Sequence, residues 1–133
     1  MAPTILVVDD DDDIRTVTRI ALEKIAGWTV LLAPDGPTAL ELARLHQPDA
    51  VLLDMMMPGM DGLTTFDHLE ADPLTQAIPV ILFTAKRNVG GATAWGTRAI
   101  RGVVPKPFDP LGLPEQLTRM LRWVDNRPVR DAV

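Results

Sequence analysis

The sequence predicts an α/β domain, a doubly wound (βα)5 fold whose five-stranded parallel sheet has the order 2-1-3-4-5. Three observations predict it. The apolar runs Thr4–Val8, Val51–Leu53 and Val80–Phe83 are continuous rather than alternating, as expected of strands buried on both faces of a parallel sheet. Between them lie stretches with helical spacing of apolar residues, so strands and helices alternate along the chain. The runs stop abruptly at polar residues, Asp9, Asp54 and Thr84. In an open α/β sheet ligands bind in the crevice beyond the carboxyl ends of the strands.

Each element has its own signals. Thr4–Val8, rich in β-branched residues and ending at Asp9, reads as a central strand. Ile14, Val17, Ala21 and Ile25 recur at helical spacing, with Asp12 or Asp13 as the expected cap and Gly27 as the stop. Trp28–Leu32 is the second strand. Asp35-Gly36-Pro37 opens the second helix with proline in its first turn, and the helix continues to Pro48. Val51–Leu53 follows, leading through Asp54 into the loop Met55–Asp61, where Pro58-Gly59 and Asp61-Gly62 impose turns and Asp61 caps a third helix. That helix spans about Gly62–Ala71 and stops at Asp72-Pro73. Pro79 heads the fourth strand, a position where a strand tolerates proline. Asn88–Ala99 is expected to form a short helix weakened by Gly90, Gly91 and Gly96, each costing about 1 kcal/mol relative to alanine. Arg101–Val104 is the fifth strand, placed at an edge by Pro105. Leu113, Leu117, Met120, Leu121 and Val124 form one face of the last helix. Right-handed crossovers place the first strand in the middle of the sheet.

Composition narrows the function classes. The 133 residues suffice for one domain with a real core, assigned to residues 3–124, with 125–133 a polar C-terminal tail expected to fray. Without cysteine there is no disulfide framework, thiolate metal site or redox role. The net charge of −5 argues against direct nucleic-acid binding. No apolar run approaches a membrane span, and Met1-Ala2-Pro3 leads straight into a strand, so neither a membrane segment nor a signal peptide is expected and the default location is cytoplasmic.

The chemistry gathers where the strands end. The first, third, fourth and fifth strands deliver Asp9-Asp10, Asp54, Thr84 and Lys106-Pro107 to one end of the sheet. Two carboxylates about 5 Å apart repel by roughly 3 kcal/mol at an effective dielectric near 20. A hard dication such as Mg²⁺ relieves that repulsion while leaving room for phosphate oxygens. A lysine and a threonine suit phosphoryl oxygens as a point charge and a hydrogen-bond donor. With no cysteine and no Ser-His pair, the nucleophile is expected to be a carboxylate, and Asp54, alone at its strand end, leaves Asp9 and Asp10 for the metal.

LVVDDD, VLLDMMMPGMDG, FTAK and PKPF, in this order and at these spacings, make the chain resemble the CheY-like receiver domains of two-component response regulators, a flavodoxin-like fold, over about Pro3–Val124. The resemblance implies that Asp54 is the phosphoacceptor, taking its phosphoryl group from a sensor histidine kinase or a phosphotransfer protein. It implies that Asp10, Asp54 and the backbone carbonyl of Met56 bind Mg²⁺, with Asp9 acting at the same metal largely through water. Lys106 is then expected to neutralise the acyl phosphate and Thr84 to move onto it, with the Lys106-Pro107 peptide cis. The signal is expected to pass to a downstream effector through the face made by the Asn88–Ala99 helix, the fifth strand and the last helix. That same face could support a weak homodimer of an otherwise monomeric chain. Such a domain assists its own phosphorylation and dephosphorylation but is no enzyme in the usual sense. Ile14, Val17 and Thr18 are, by the same analogy, the kinase-docking surface.

Three positions depart from or tune the family pattern. Val103 stands three residues before Lys106, where the family usually carries an aromatic residue or histidine that rotates as the threonine moves. Met56 and Lys86 stand two residues after Asp54 and Thr84, positions that tune phosphoryl lifetime. Methionine cannot orient an attacking water, so slow self-hydrolysis is expected. Rival readings fit less well. A phosphorylation-independent pseudo-receiver would have lost Asp54, Lys106 or a pocket acid. A metal-dependent phosphatase would want a carboxylate where Met56 stands. A flavin carrier would want a hydroxyl- and glycine-rich loop where the chain has Asp9–Asp13.

Overall fold

The computed structural model describes residues 2–84 and 98–129. Its five parallel strands, β1 (Thr4–Val8), β2 (Thr29–Ala33), β3 (Ala50–Asp54), β4 (Val80–Thr84) and β5 (Gly102–Pro105), form one sheet of order β2-β1-β3-β4-β5. The expected topology is therefore observed. Among the described residues three helical elements connect strands, α1 (Asp12–Ile20), which continues as a π-helical stretch over Ala21–Ile25, then α2 (Gly36–His46) and α3 (Gly62–Ala71), and a fourth, α4 (Leu113–Leu121), follows β5. The helix expected over Asn88–Ala99, with its three glycines, Trp95 and Lys86 before it, lies outside the described residues, except that Arg98 and Ala99 are not helical.

Strand pleating divides the core into two layers. Ile5, Val7, Leu52, Ile81, Phe83 and Val104 face one side and pack on Leu22, Leu113 and Leu117. Leu6, Val8, Val51, Leu53, Val80 and Leu82 face the other and pack on Ala39, Ala43, Phe66 and Leu69. Both faces of β1, β3 and β4 are thus covered, which is why their runs are apolar throughout.

Several boundaries differ from the sequence expectation for local reasons. Asp11, not Asp12 or Asp13, caps α1, its side chain accepting from Asp13 N and Ile14 N. Gly27 ends the π-helical stretch at φ +71°, with its N–H on Glu23 O, a backbone setting that favours glycine. The second strand begins at Thr29, because Trp28 is turned into the core at 4% exposure. Val124 lies beyond α4 and is exposed. The tail does not fray at once. Asp125 and Asn126 take left-handed conformations, φ 52° and 60°, and fold Arg127 back onto Val124. The Trp28 indole N–H donates to Asn126 O at 3.0 Å, while Trp28 and Trp123 meet edge to face at 5.3 Å.

Candidate functional site

Strand register assembles the site. Val8 pairs with Leu53, so Asp9 and Asp54 are neighbours one step beyond. Asp54 in turn pairs with Phe83, and Thr84 with Pro105. The peptide after β5 stays in register through Lys106 N–H donating to Thr84 O at 2.8 Å, and Lys106-Pro107 is cis. Four strands thereby carry the predicted residues to the carboxyl end of the sheet.

Asp9, Asp54 and Thr84 are buried, Lys106 is mostly buried and Asp10 is exposed. One carboxylate oxygen from each of Asp9, Asp10 and Asp54 lies within 4.8 Å of the others. Lys106 Nζ is 2.6 Å from Asp9 Oδ2 and 3.4 Å from Asp54 Oδ1, and stands 4.8 Å above the Phe83 ring. Asp9 Oδ1 accepts from Asp11 N at 2.9 Å, and Asp54 Oδ1 accepts from Met56 N at 3.2 Å. Burial, and next the neighbouring Asp9 charge, push the Asp54 carboxyl up to about 6, while Lys106 and the Met56 N–H hold it down. It is therefore still mainly ionised at neutral pH, and a carboxylate is the nucleophilic form.

The residues fit a hard dication. Three carboxylates converge against one ammonium, so the cluster is anionic when ionised. One oxygen from each acid already lies within 4.8 Å of the other two, and an all-oxygen donor set suits a hard dication. Burial first, and the neighbouring Asp9 charge second, raise the Asp54 carboxyl, and a cation would offset the second of these.

The loop that follows Asp54 is shaped to reach the site. Gly59 has φ +76°. Gly62, the first residue of α3, sits so close to the strand end that an added Cβ would fall 2.3 Å from Asp54 O and 2.7 Å from Met55 Cα. Met56 is 53% exposed at the mouth. Val103 is partly buried and packs on the layer that holds Leu6 and Leu82.

Sequence reasoning missed one participant, Arg15. Its Nη1 donates to Asp9 O at 2.6 Å, and its Nη2 pairs with Asp12 Oδ1. The i,i+3 spacing from Asp12 was a visible sign of the second contact, but nothing local announced the first. The expected docking triad also needs correction. Val17 is exposed and Ile14 half-buried, but Thr18 is fully buried and cannot belong to a surface.

Comparison with known proteins places this geometry in context. The family model described as the response regulator receiver domain matches residues 5–118. The response regulator PleD of Caulobacter vibrioides is 39% identical over 99% of this chain and 30% of its own length. The DNA-binding dual master transcriptional regulator RpaA of a Synechocystis species is 35% identical over 95% of this chain and 52% of its own. The chain thus spans between about a third and a half of these curated relatives. Among solved structures, the chemotaxis protein CheY4 of Vibrio cholerae superposes with a TM-score of 0.84 at 27% identity, covering 91% of this chain and 100% of that one.

Proposed function

This chain belongs to the response regulator receiver domains of two-component signalling, and from that premise we propose that Asp54 is its Mg²⁺-dependent phosphoacceptor, supplied by a histidine kinase or a phosphotransfer protein. The observation that carries the reading is the placement of Asp54, a buried carboxylate at the end of β3, beside Lys106 and within 4.8 Å of two further carboxylates.

The chemistry balances with the groups present. An Asp54 carboxylate oxygen attacks the phosphorus of a phosphohistidine and forms a P–O bond. The P–N bond breaks, and its electron pair stays with the imidazole, which takes up a proton. Lys106 is placed to bind an oxygen of the transferred group, and Thr84, one residue beyond the partner of Asp54 on β4, is placed to offer a hydroxyl. Asp10, Asp54 and the Met56 carbonyl, with Asp9 beside them, would hold Mg²⁺, which would supply positive charge against the phosphoryl oxygens.

Phosphorylation adds charge and acceptor oxygens at Asp54. Thr84 and Lys106 end β4 and begin the loop after β5, so their movement toward those oxygens shifts both chain segments and biases the surface around β5 and α4 toward an effector-binding state. With Val103 in place of an aromatic residue, this coupling runs through backbone displacement rather than ring rotation.

Intact mass after incubation with Mg²⁺ and acetyl phosphate tests the reading, on wild type and Asp54→Asn. A phosphoryl-sized gain in wild type alone supports it. No gain in wild type from acetyl phosphate or from a phosphorylated histidine donor overturns it. Slow loss of the added mass is expected, because Met56 supplies no group to orient water.

A further inference from the structure

We propose that Arg15 is a positioning residue for cation binding: it locks the turn between β1 and α1 so that Asp10 presents its carboxylate to the ion. The inference rests on the reading of Asp9, Asp10 and Asp54 as a Mg²⁺ site and deepens it.

The three carboxylates are not held alike. Asp54 receives Met56 N–H and the Lys106 ammonium, and Asp9 receives Asp11 N–H and the same ammonium. The Asp10 carboxylate has no hydrogen bond or ion pair among the described residues, and yet it lies within 4.8 Å of the other two. Where it points is therefore decided by its backbone. That backbone is leaving the sheet. Asp9 N–H still pairs with Ala33 O at 3.1 Å, but the Asp9 carbonyl lies one residue past the end of β1. Arg15 Nη1 reaches back six residues to that carbonyl at 2.6 Å. The peptide unit is planar, so fixing the oxygen of residue 9 fixes the N–Cα direction of residue 10.

The guanidinium is itself anchored. Its second arm is bound by Asp12, on the first turn of the helix that Asp11 caps, and its side chain is only 15% exposed. Strand end, turn and helix start are closed into one ring by a single planar fork, a geometry lysine cannot reproduce. Electrostatics alone would give Arg15 the opposite effect, since a cation beside an anionic pocket opposes cation binding. The sign of the effect therefore separates positioning from charge.

Calorimetric Mg²⁺ titration of wild type, Arg15→Met, Arg15→Lys, Asp10→Asn and the Arg15→Met/Asp10→Asn double variant, with thermal unfolding of each, tests the proposal. Arg15→Met should bind Mg²⁺ roughly ten- to a hundredfold more weakly, as for other groups that orient a metal ligand. Arg15→Lys should fall between it and wild type. The double variant should lose little beyond Asp10→Asn, because Arg15 acts through Asp10. Affinity in Arg15→Met equal to or tighter than wild type overturns the proposal, as do losses that add in the double variant. Should Arg15→Met fail to fold, Arg15→Lys decides, and wild-type affinity there overturns the proposal. If wild type itself binds no Mg²⁺, the reading of the site falls, and this inference with it.

Discussion

Lys106 is seated on Asp9, not on Asp54: its ammonium lies 2.6 Å from Asp9 Oδ2 but 3.4 Å from Asp54 Oδ1. The ion pair is nearly dry, with the two side chains 16% and 1% exposed. In the unmodified chain the lysine thus compensates the deepest acid of the pocket. A new anion on Asp54 competes for it, and a cation near Asp9 helps release it.

Removing the ammonium leaves Asp9 and Asp54 buried and uncompensated. Lys106→Met should therefore destabilise the metal-free protein by about 3 kcal/mol. Saturating Mg²⁺ should recover part of that loss by supplying the missing positive charge. Urea unfolding in chelator and in excess Mg²⁺ measures both. Unchanged stability in chelator would show that the pair contributes nothing net.

The Asp54 carboxyl titrates near 6 in the fold against 3.8 for the free group. Folding thus favours the protonated form, and the stability this contributes is present below 3.8 and lost as the pH rises through about 6. A shift of roughly two units corresponds to about 3 kcal/mol. Asp54→Asn should therefore gain stability over wild type in metal-free buffer at pH 7.5 and gain far less at pH 4, as read by urea unfolding at both. An advantage that does not change with pH would contradict the shift. Mg²⁺ affinity of wild type should weaken below pH 6, where a proton competes for the same oxygens.

Gly62 and Gly102 make opposite predictions for the same substitution. A methyl group at Gly62 meets main chain, Asp54 O at 2.3 Å and Met55 Cα at 2.7 Å, so α3 must back away from β3. Gly62→Ala should cost about 2–3 kcal/mol and should slow labelling of Asp54. At Gly102 the methyl meets the thioether of Met120 at 2.6 Å, a flexible side-chain end that can turn aside. Gly102→Ala should cost under about 1 kcal/mol. Thermal unfolding of the two variants makes the comparison.

Thr18 Oγ1 is buried without a hydrogen-bond partner among the described residues. Valine has nearly the same shape and no hydroxyl to desolvate. Thr18→Val should stabilise the protein by about 1 kcal/mol, raising the unfolding midpoint by roughly 3–6 °C. A lower midpoint would mean that the hydroxyl is satisfied in solution.

Much of this protein is local, and local features were legible. Asp35 and Asp61 announced helix starts by accepting from Thr38 N and Thr64 N. Continuous apolar runs announced strands covered on both faces. Crossover handedness placed the first strand centrally and the usual order for five strands supplied the rest, and the acids, threonine and lysine at the strand ends followed from that order.

Where two segments distant in sequence meet, tertiary structure decided the outcome. Register made Asp9 and Asp54 neighbours and gave Lys106 to Asp9 across 97 intervening steps of chain. Helix packing forced a glycine at position 62 against the Asp54 carbonyl and turned Thr18 inward. The fold of the turn after β1 brought Arg15 onto the Asp9 carbonyl. Residue type and spacing specify which groups arrive at the carboxyl end of the sheet, because period and capping act within a few residues. Which group compensates which depends on distances of a few ångströms and on exclusion of water, and only the packed chain sets those.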